Sequence, residues 1–459
     1  MASMGSDQRR RAMRVAVVGG GPAGTFFVHC LYKQMQERGL PVEVIIFEPK
    51  KFEHRGAFNC NFCQGVISAG LLASMEKIGL SIPRQVIQAR IKSYRLITLG
   101  GELLIPVPGN QYIYTVFRGQ GPVSEKAGAI SFDQFLLDQA LAGGAVKTPV
   151  LIREIEIRRG AENPVSLIDH EGRSYRADVV VGAFGVNSKI GIQFEKLGFG
   201  YHSPGTSSAL QAEFRTDDNG ILRQFGNEIK IFALRLYPIR FAVITPKRNH
   251  ITVSLIGQHL HSAHLEQFMQ HPLVQKHIPA GLETTAPRCE CSPLFPISDG
   301  RELAAEHCMI IGDSAVSRYY KNGIESTLRS AELAAEVLAE YGPEQAEKLR
   351  RYYTQRVKKM FSMDNSLGRV LFRVHDCINQ LPSMARAHLE IARGDYGLTG
   401  HSRKKLRWIL WNMFTGDASY KKIFLHCLDP LLLFRIILAT LKTHFTANSE
   451  PHLGRRKDE

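Results

Sequence analysis

The sequence predicts an α/β fold in which a parallel-sheet domain is interrupted by an inserted β-sheet domain and followed by a C-terminal helical region. Three observations predict it. Arg14 to Phe47 read as strand, glycine turn, helix and strand (VAVV, GGGPAG, TFFVHCLYKQM, VEVIIF), the length of one βαβ unit with a helical crossover. Residues 206 to 257 hold four short apolar segments (SALQAEF, KIFALRL, FAVITP, HITVSLIG) separated by turn signals, which predicts a broad antiparallel sheet. HCMIIGDSA (307 to 315) then returns to a buried parallel-type strand before a long helix that stops at Gly342, and the chain beyond is mainly helical.

The intervening elements complete this order. SFDQFLLDQALAGGA (131 to 145) spaces Phe132, Phe135, Leu136 and Ala140 as the buried face of a helix, and PVLIREIEI continues as a strand. ADVVVGAFGVNS (177 to 188) is a buried strand entering a tight turn. The expected division is 13–70, 125–200 and 296–342 for the parallel-sheet domain, 71–124 and 201–295 for the inserted sheet domain, and 343–459 for the basic helical region.

Composition bounds the function classes. The 459 residues suit two or three structural units, and 44% apolar with 22% charged residues is ordinary globular usage, not that of disordered, collagen-like or disulfide-dense chains. A formal charge of +15 favours an anionic partner: a phosphorylated cofactor, a nucleic acid or an acidic membrane surface. Eight cysteines spread over this length point to a reducing compartment, and a cytoplasmic location is expected. QRRRAMRVAVV has the look of a leader, but its apolar run ends at Val18 and reads as a first strand. LLLFRIILATL (431 to 441) falls short of the roughly 20 apolar residues of a spanning helix and contains Arg435.

Gly19-Gly20-Gly21-Pro22-Ala23-Gly24 fits G-x-G-x-x-G, follows a strand, opens a helix, and is followed by Glu48 at the end of the next strand. The unit is therefore Rossmann-like. Gly19 allows the turn, Gly21 lets a pyrophosphate approach the backbone, and Gly24 permits close helix packing, while the helix N-terminus offers N–H groups to phosphate. Glu48 suits ribose hydroxyls and disfavours an added 2′-phosphate. The cofactor expected is an adenine dinucleotide.

VAVVGGGPAG, Glu48, VGAFGVNS and IIGDSA, in that order over roughly residues 14 to 340, resemble the two-domain flavoproteins that include geranylgeranyl reductases and aromatic hydroxylases. The resemblance implies FAD as cofactor, with Gly312 and Asp313 near its ribityl or pyrophosphate and the helix start at Gly323 and Ile324 facing its pyrimidine edge. Pro293, Phe295 and Pro296 fall where that family has a proline-containing segment near the flavin. Two positions depart from it. Phe184 stands where the family has a carboxylate, which puts NAD(P)H as direct donor in doubt. Ala129 stands where it has an arginine; either departure means an altered reductant or is compensated by Arg118 or Arg55.

NCNFCQGVIS (59 to 68) aligns through Cys63-Gln64-Gly65-Val66 with the cysteine-containing segment of geranylgeranyl reductases. Cys63 is then a candidate catalytic residue that shapes the site or relays a proton; inert packing, a Cys60–Cys63 redox pair and a zinc site with Cys289 and Cys291 are alternative readings. Flavin halogenases carry a Trp-x-Trp-x-Ile-Pro segment, and the tryptophans here, Trp408 and Trp411, lie near the end. Phe232, Leu234, Leu236, Phe241 and Val243 are candidates to line an apolar substrate pocket, Tyr319 and Tyr320 to pack beside it.

Residues 401–459 carry 11 Lys or Arg against 5 Asp or Glu. RKKLRWILWNMF and KKIFLHCLDPLLLFRIILATLKTHF fit an interfacial element on acidic lipid, or a helical cap with a solvated basic face. No nucleic-acid reader motif accompanies the charge. The expected function is FAD-dependent reduction of alkene bonds in a prenyl or other long apolar substrate, with an electron-donor protein as a further partner. A monooxygenase is the alternative within the family. A prenyl-binding protein resembling Rab GDP-dissociation inhibitors is the alternative of another class, disfavoured by the intact glycine turn and Glu48.

Overall fold

The computed structural model describes residues 11–52, 59–60, 64–119, 130–216, 225–394 and 400–449, with side chains through His444. Among these, the strand Met13–Val18 lies at the centre of a six-stranded sheet in the order 304–305, 308–310, 179–182, 13–18, 42–47, 146–148. Every neighbouring pair is parallel except the edge pair Ala304–Ala305 with Cys308–Ile310. Val15, Val17, Val179 to Val181 and Ile310 are at most 1% exposed, as expected of strands covered on both faces.

The helix Pro22–Glu37 packs on this sheet and on the long helix Gly323–Tyr341, which ends at Gly342 with φ +75°. Phe132–Ala142 forms the predicted helix, and Ser131 Oγ caps it by accepting the Gln134 N–H at 3.2 Å. Ile152–Ile157, Val165–Asp169 and Ser174–Ala177 make an antiparallel meander leading to Val179–Gly182.

A second, eight-stranded sheet joins Thr206–Arg215, Glu228–Ala233, Ile239–Lys247 and His250–Gly257 with Ser93–Thr98 and Gly101–Pro106. The strands of residues 206–257 pair antiparallel, as expected, and the sheet is extended beyond them by a parallel pairing: Glu228–Ala233 runs parallel to Ser93–Thr98, with Ile229 opposite Tyr94 and Ile231 opposite Leu96. The two strands approach from segments more than 100 residues apart, and no hairpin dictates their direction.

The faces of this sheet are divided by alternation. Phe232 and Leu234 pack with Phe268 and Leu265 of the helix Ser262–Met269 on one side. Ile229, Ile231, Phe241 and Val243 join a different cluster with Phe372, Trp411 and Phe414 from the C-terminal helices. Those helices, Gln355–Gln380, Pro382–Arg393 and Gly400–Thr415, therefore cover the sheet; Gly100 lies so close to the helix Pro382–Arg393 that a Cβ there would stand 2.6 Å from the Arg386 nitrogen.

Candidate functional site

The glycine turn is shaped by close approaches. At Gly19 φ is +115° and a Cβ would lie 2.4 Å from the Ala183 oxygen; at Gly24 it would lie 2.0 Å from the Gly19 oxygen. Gly21, by contrast, has φ −73° and ψ −172°, a conformation open to any residue. It caps the helix without a side-chain bond, and Pro22 follows, so the first-turn N–H groups have no intrahelical acceptor at the end facing the strands.

Glu48 is tied to this turn. Its two oxygens accept the Gly20 and Lys50 N–H groups, each at 2.9 Å. Burial raises its pKa above the ordinary 4.5, and those two N–H bonds oppose the rise.

Across the sheet, Ile310 leads into Gly312, whose φ of +69° turns the chain, and Asp313 follows. Asp313 is half-buried at the cavity wall, and burial raises its pKa while Ser317 and the Arg118 charge oppose the rise. Its Oδ1 has no hydrogen-bond partner, a costly condition for a buried carboxylate unless a ligand group meets it. The helix Gly323–Tyr341 begins beside it from Asn322 in the left-handed region, φ +55°, again without a side-chain cap.

One cavity of about 700 Å³ connects these features. Its wall includes Gly19, Gly21, Pro22, Ala23, Glu48, Arg118, Asp313, Gly323 and Ile324. Gly24 and Gly312 stand behind the wall as packing and turn residues. The far side of the same cavity is apolar, with Ile229, Ile231, Phe241, Val243 and Ile256 from the large sheet and Phe414 from the C-terminal helices. Of the predicted lining residues, Phe241 and Val243 are there. Phe232, Leu234 and Leu236 are not: Phe232 is turned by the strand alternation to the opposite core, and Leu234 and Leu236, beyond the end of that strand, pack on the same core. Pro293, Phe295 and Pro296 line the cavity as expected, and Tyr320 joins them, packing on Phe295 with ring centroids 5.1 Å apart.

Arg118 is already engaged: its Nε and Nη2 both meet the Asp133 carboxylate, with Nη2 to Oδ2 at 3.0 Å, in a nearly buried pair. It holds the start of the Phe132–Ala142 helix as well as the cavity wall. Arg55, Cys63 and Ala129 lie outside the described residues. The neighbours of Cys63 are placed: Gln64 donates to Thr245 Oγ1 at 2.7 Å, and Gln64 and Val66 line the cavity. Gly65, φ +75°, could not carry a Cβ, which would meet the Val116 oxygen at 2.0 Å. Burial pushes the Cys289 thiol up to about 11 and Cys291 to about 12, and Cys60 adds to both shifts, so neither is a poised thiolate at neutral pH.

Lys321 is a site residue that sequence reasoning missed. It lines the cavity with its ammonium 5.4 Å from the Phe241 ring centroid, and burial lowers its pKa to about 8. Its only sequence signal is its position just before Asn322-Gly323.

No protein-family model matches the sequence. Over 352 residues the chain is 23% identical to the chloroplastic geranylgeranyl diphosphate reductase of Nicotiana tabacum, spanning 72% of this chain and 67% of that protein. The crystal structure of a geranylgeranyl bacteriochlorophyll reductase-like protein from Thermoplasma acidophilum superposes with a TM-score of 0.60 at 17% identity, covering 96% of this chain and 99% of that one. The chain has the fold of the geranylgeranyl reductase and aromatic hydroxylase flavoproteins. A 2-methyl-3-hydroxypyridine-5-carboxylic acid oxygenase shares this flavoprotein fold with a TM-score of 0.59 at 14% identity, covering 78% of this chain and 90% of that one. Flavin-dependent halogenases share it too, so the tryptophan argument against that chemistry rests on sequence alone.

Proposed function

We propose that the protein is an FAD-dependent oxidoreductase that reduces alkene bonds of a prenyl or other long apolar substrate. The observation that carries this reading is the single cavity that runs from the glycine turn and Asp313 to an apolar sheet face. Its polar end fits FAD: an uncapped helix start at Gly21, the Glu48 carboxylate, an unpartnered Asp313 Oδ1 and a second uncapped helix start at Gly323. In this reading 13–70, 125–200 and 296–342 hold the cofactor, and 71–124 with 201–295 hold the substrate. FAD, when bound and reduced, supplies the hydride.

The chain's own residues bind and position. Ile229, Ile231, Phe241 and Val243 exclude water and align an apolar chain, while Gln64, fixed on Thr245, sets the segment that carries Cys63. Cys63 is the proton source in this proposal. Similarity to the tobacco reductase and to the Thermoplasma protein supports the choice of reduction. The oxygenase of similar fold supports the second reading, a monooxygenase acting in the same cavity.

Anaerobic turnover of the chemically reduced holoprotein with a geranylgeranyl lipid separates the two. The expected product gains two hydrogens per double bond, and Cys63→Ala slows its formation without releasing FAD. A product formed only in the presence of oxygen, and heavier by an oxygen atom, assigns the chain to the monooxygenases.

A further inference from the structure

We propose that the last two helices, Tyr420–Cys427 and Pro430–Ser449, form a face that rests on an acidic lipid bilayer without crossing it. The expectation from sequence placed this contact partly on RKKLRWILWNMF, but that helix is a packed cap: Leu406, Ile409, Trp411 and Phe414 are buried, and Trp411 Nε1 donates to Asp417 at 3.2 Å. The exposed apolar surface lies further on. Leu431, Phe434, Ile437, Leu438 and Leu441 are 44–58% exposed. At 100° per residue they fall in an arc of about 120°, with Leu432, Ala439 and Thr443, all buried, on the opposite side.

The helix is fastened in this orientation, because Arg435 Nη1 donates to Ser402 Oγ and Thr443 Oγ1 to the Ser383 oxygen, each at 3.1 Å. So broad an apolar face does not suit water.

Charge selects the occupant. Arg435 and Lys442 border the apolar arc, and Lys421 and Lys422 are exposed on the preceding helix. Asp429 is the single acidic residue from 420 to 449, and it is consumed by Lys405 and by the Leu432 N–H. A second copy would bring one basic rim against another, whereas anionic headgroups neutralise it. Spanning is disfavoured: among the described residues no single helix is long and apolar enough, and the two helices that pass only together are bent by 64°.

Co-sedimentation of the full chain with phosphatidylcholine vesicles, with and without phosphatidylserine, tests this. Phe434→Ser with Ile437→Ser should lower partitioning more than tenfold on both vesicle types. Lys421→Gln with Lys422→Gln should lower it by about fivefold per lysine on the acidic vesicles alone, an effect that salt erases. Unchanged partitioning of the apolar double variant overturns the proposal, provided its melting temperature matches the wild type. If that variant unfolds, the lysine pair decides alone, and equal binding by it on acidic vesicles overturns the charge argument. Resistance of the bound protein to carbonate extraction, or a dimer that the apolar substitutions split with no change in vesicle binding, overturns it in favour of a span or of a second copy.

Discussion

Phe184 stacks on Phe194 with ring centroids 4.9 Å apart and planes 25° from parallel, and its edge meets Tyr201 at 6.4 Å. The ring that stands where the sequence resemblance leads one to expect a carboxylate is thus part of an aromatic cluster at the cavity wall. With no charge there to organise a nicotinamide, NADH and NADPH should reduce the bound flavin slowly, and another donor should do it faster. Stopped-flow mixing measures this directly; fast, saturable bleaching by either nucleotide contradicts it.

Gly24→Ala and Gly21→Val should fail in different ways. The first places a Cβ 2.0 Å from the Gly19 oxygen and 3.0 Å from Val17, and should destabilise the fold by about 1–3 kcal/mol in urea titration. The second puts valine at an ordinary backbone conformation, so the protein should melt near the wild-type temperature while gaining no flavin absorbance on incubation with FAD. Normal flavin occupancy in Gly21→Val would place the cofactor elsewhere.

Asp313→Asn should stabilise the cofactor-free protein and weaken its hold on FAD. Burial raises the folded pKa of Asp313 above its ordinary 3.8, so ionisation disfavours folding. The penalty is absent below 3.8, grows as pH climbs from 3.8 to the folded value, and is constant above it. The melting-temperature gap between the variant and the wild type should therefore widen as pH rises above 3.8 and close toward pH 3.8. Glu48 shifts in the same direction but is common to both proteins, so the difference isolates Asp313. A gap that is constant with pH removes the explanation.

Asp133→Ala strips the main counter-charge from Arg118 in a site where both side chains are at most 9% exposed. Removal of one partner from a buried pair costs about 3–5 kcal/mol, more than the pair contributes as a whole. Chemical denaturation should show a loss of that size, and Asp133→Glu should restore only part of it, since the longer side chain displaces the bidentate geometry.

The half built on the glycine turn was legible because its demands are local. A left-handed Gly19, a Gly24 that touches the Gly19 oxygen, a Ser131 cap and a Gly342 stop are each set by a few neighbouring residues. The half built on the eight-stranded sheet was legible as strands but not as faces. Phe232 and Ile231 both read as apolar strand residues, and only the packing of the Ser262–Met269 helix on one side of the sheet decides which looks inward. The parallel register of Glu228–Ala233 on Ser93–Thr98 is likewise invisible to local pattern. RKKLRWILWNMF is buried despite its charge, because Lys405 pairs with Asp429 and Arg407 donates to the Ala392 and Leu104 oxygens while Leu406, Ile409 and Trp411 turn to the core.

Arg318 donates to the backbone oxygens of Gly416 and Ala418, and its guanidinium lies 4.4 Å from the Tyr420 ring centroid. The segment joining Asp313 to the second helix start thus takes its position from residues 98 and 100 places later. During synthesis the glycine turn leaves the ribosome early, yet the cavity it opens into takes its last wall residues, Phe414 and Thr415, from the helix Gly400–Thr415. A chain cut short before Gly400 would carry the glycine turn without that part of the wall and without the carbonyls that hold Arg318.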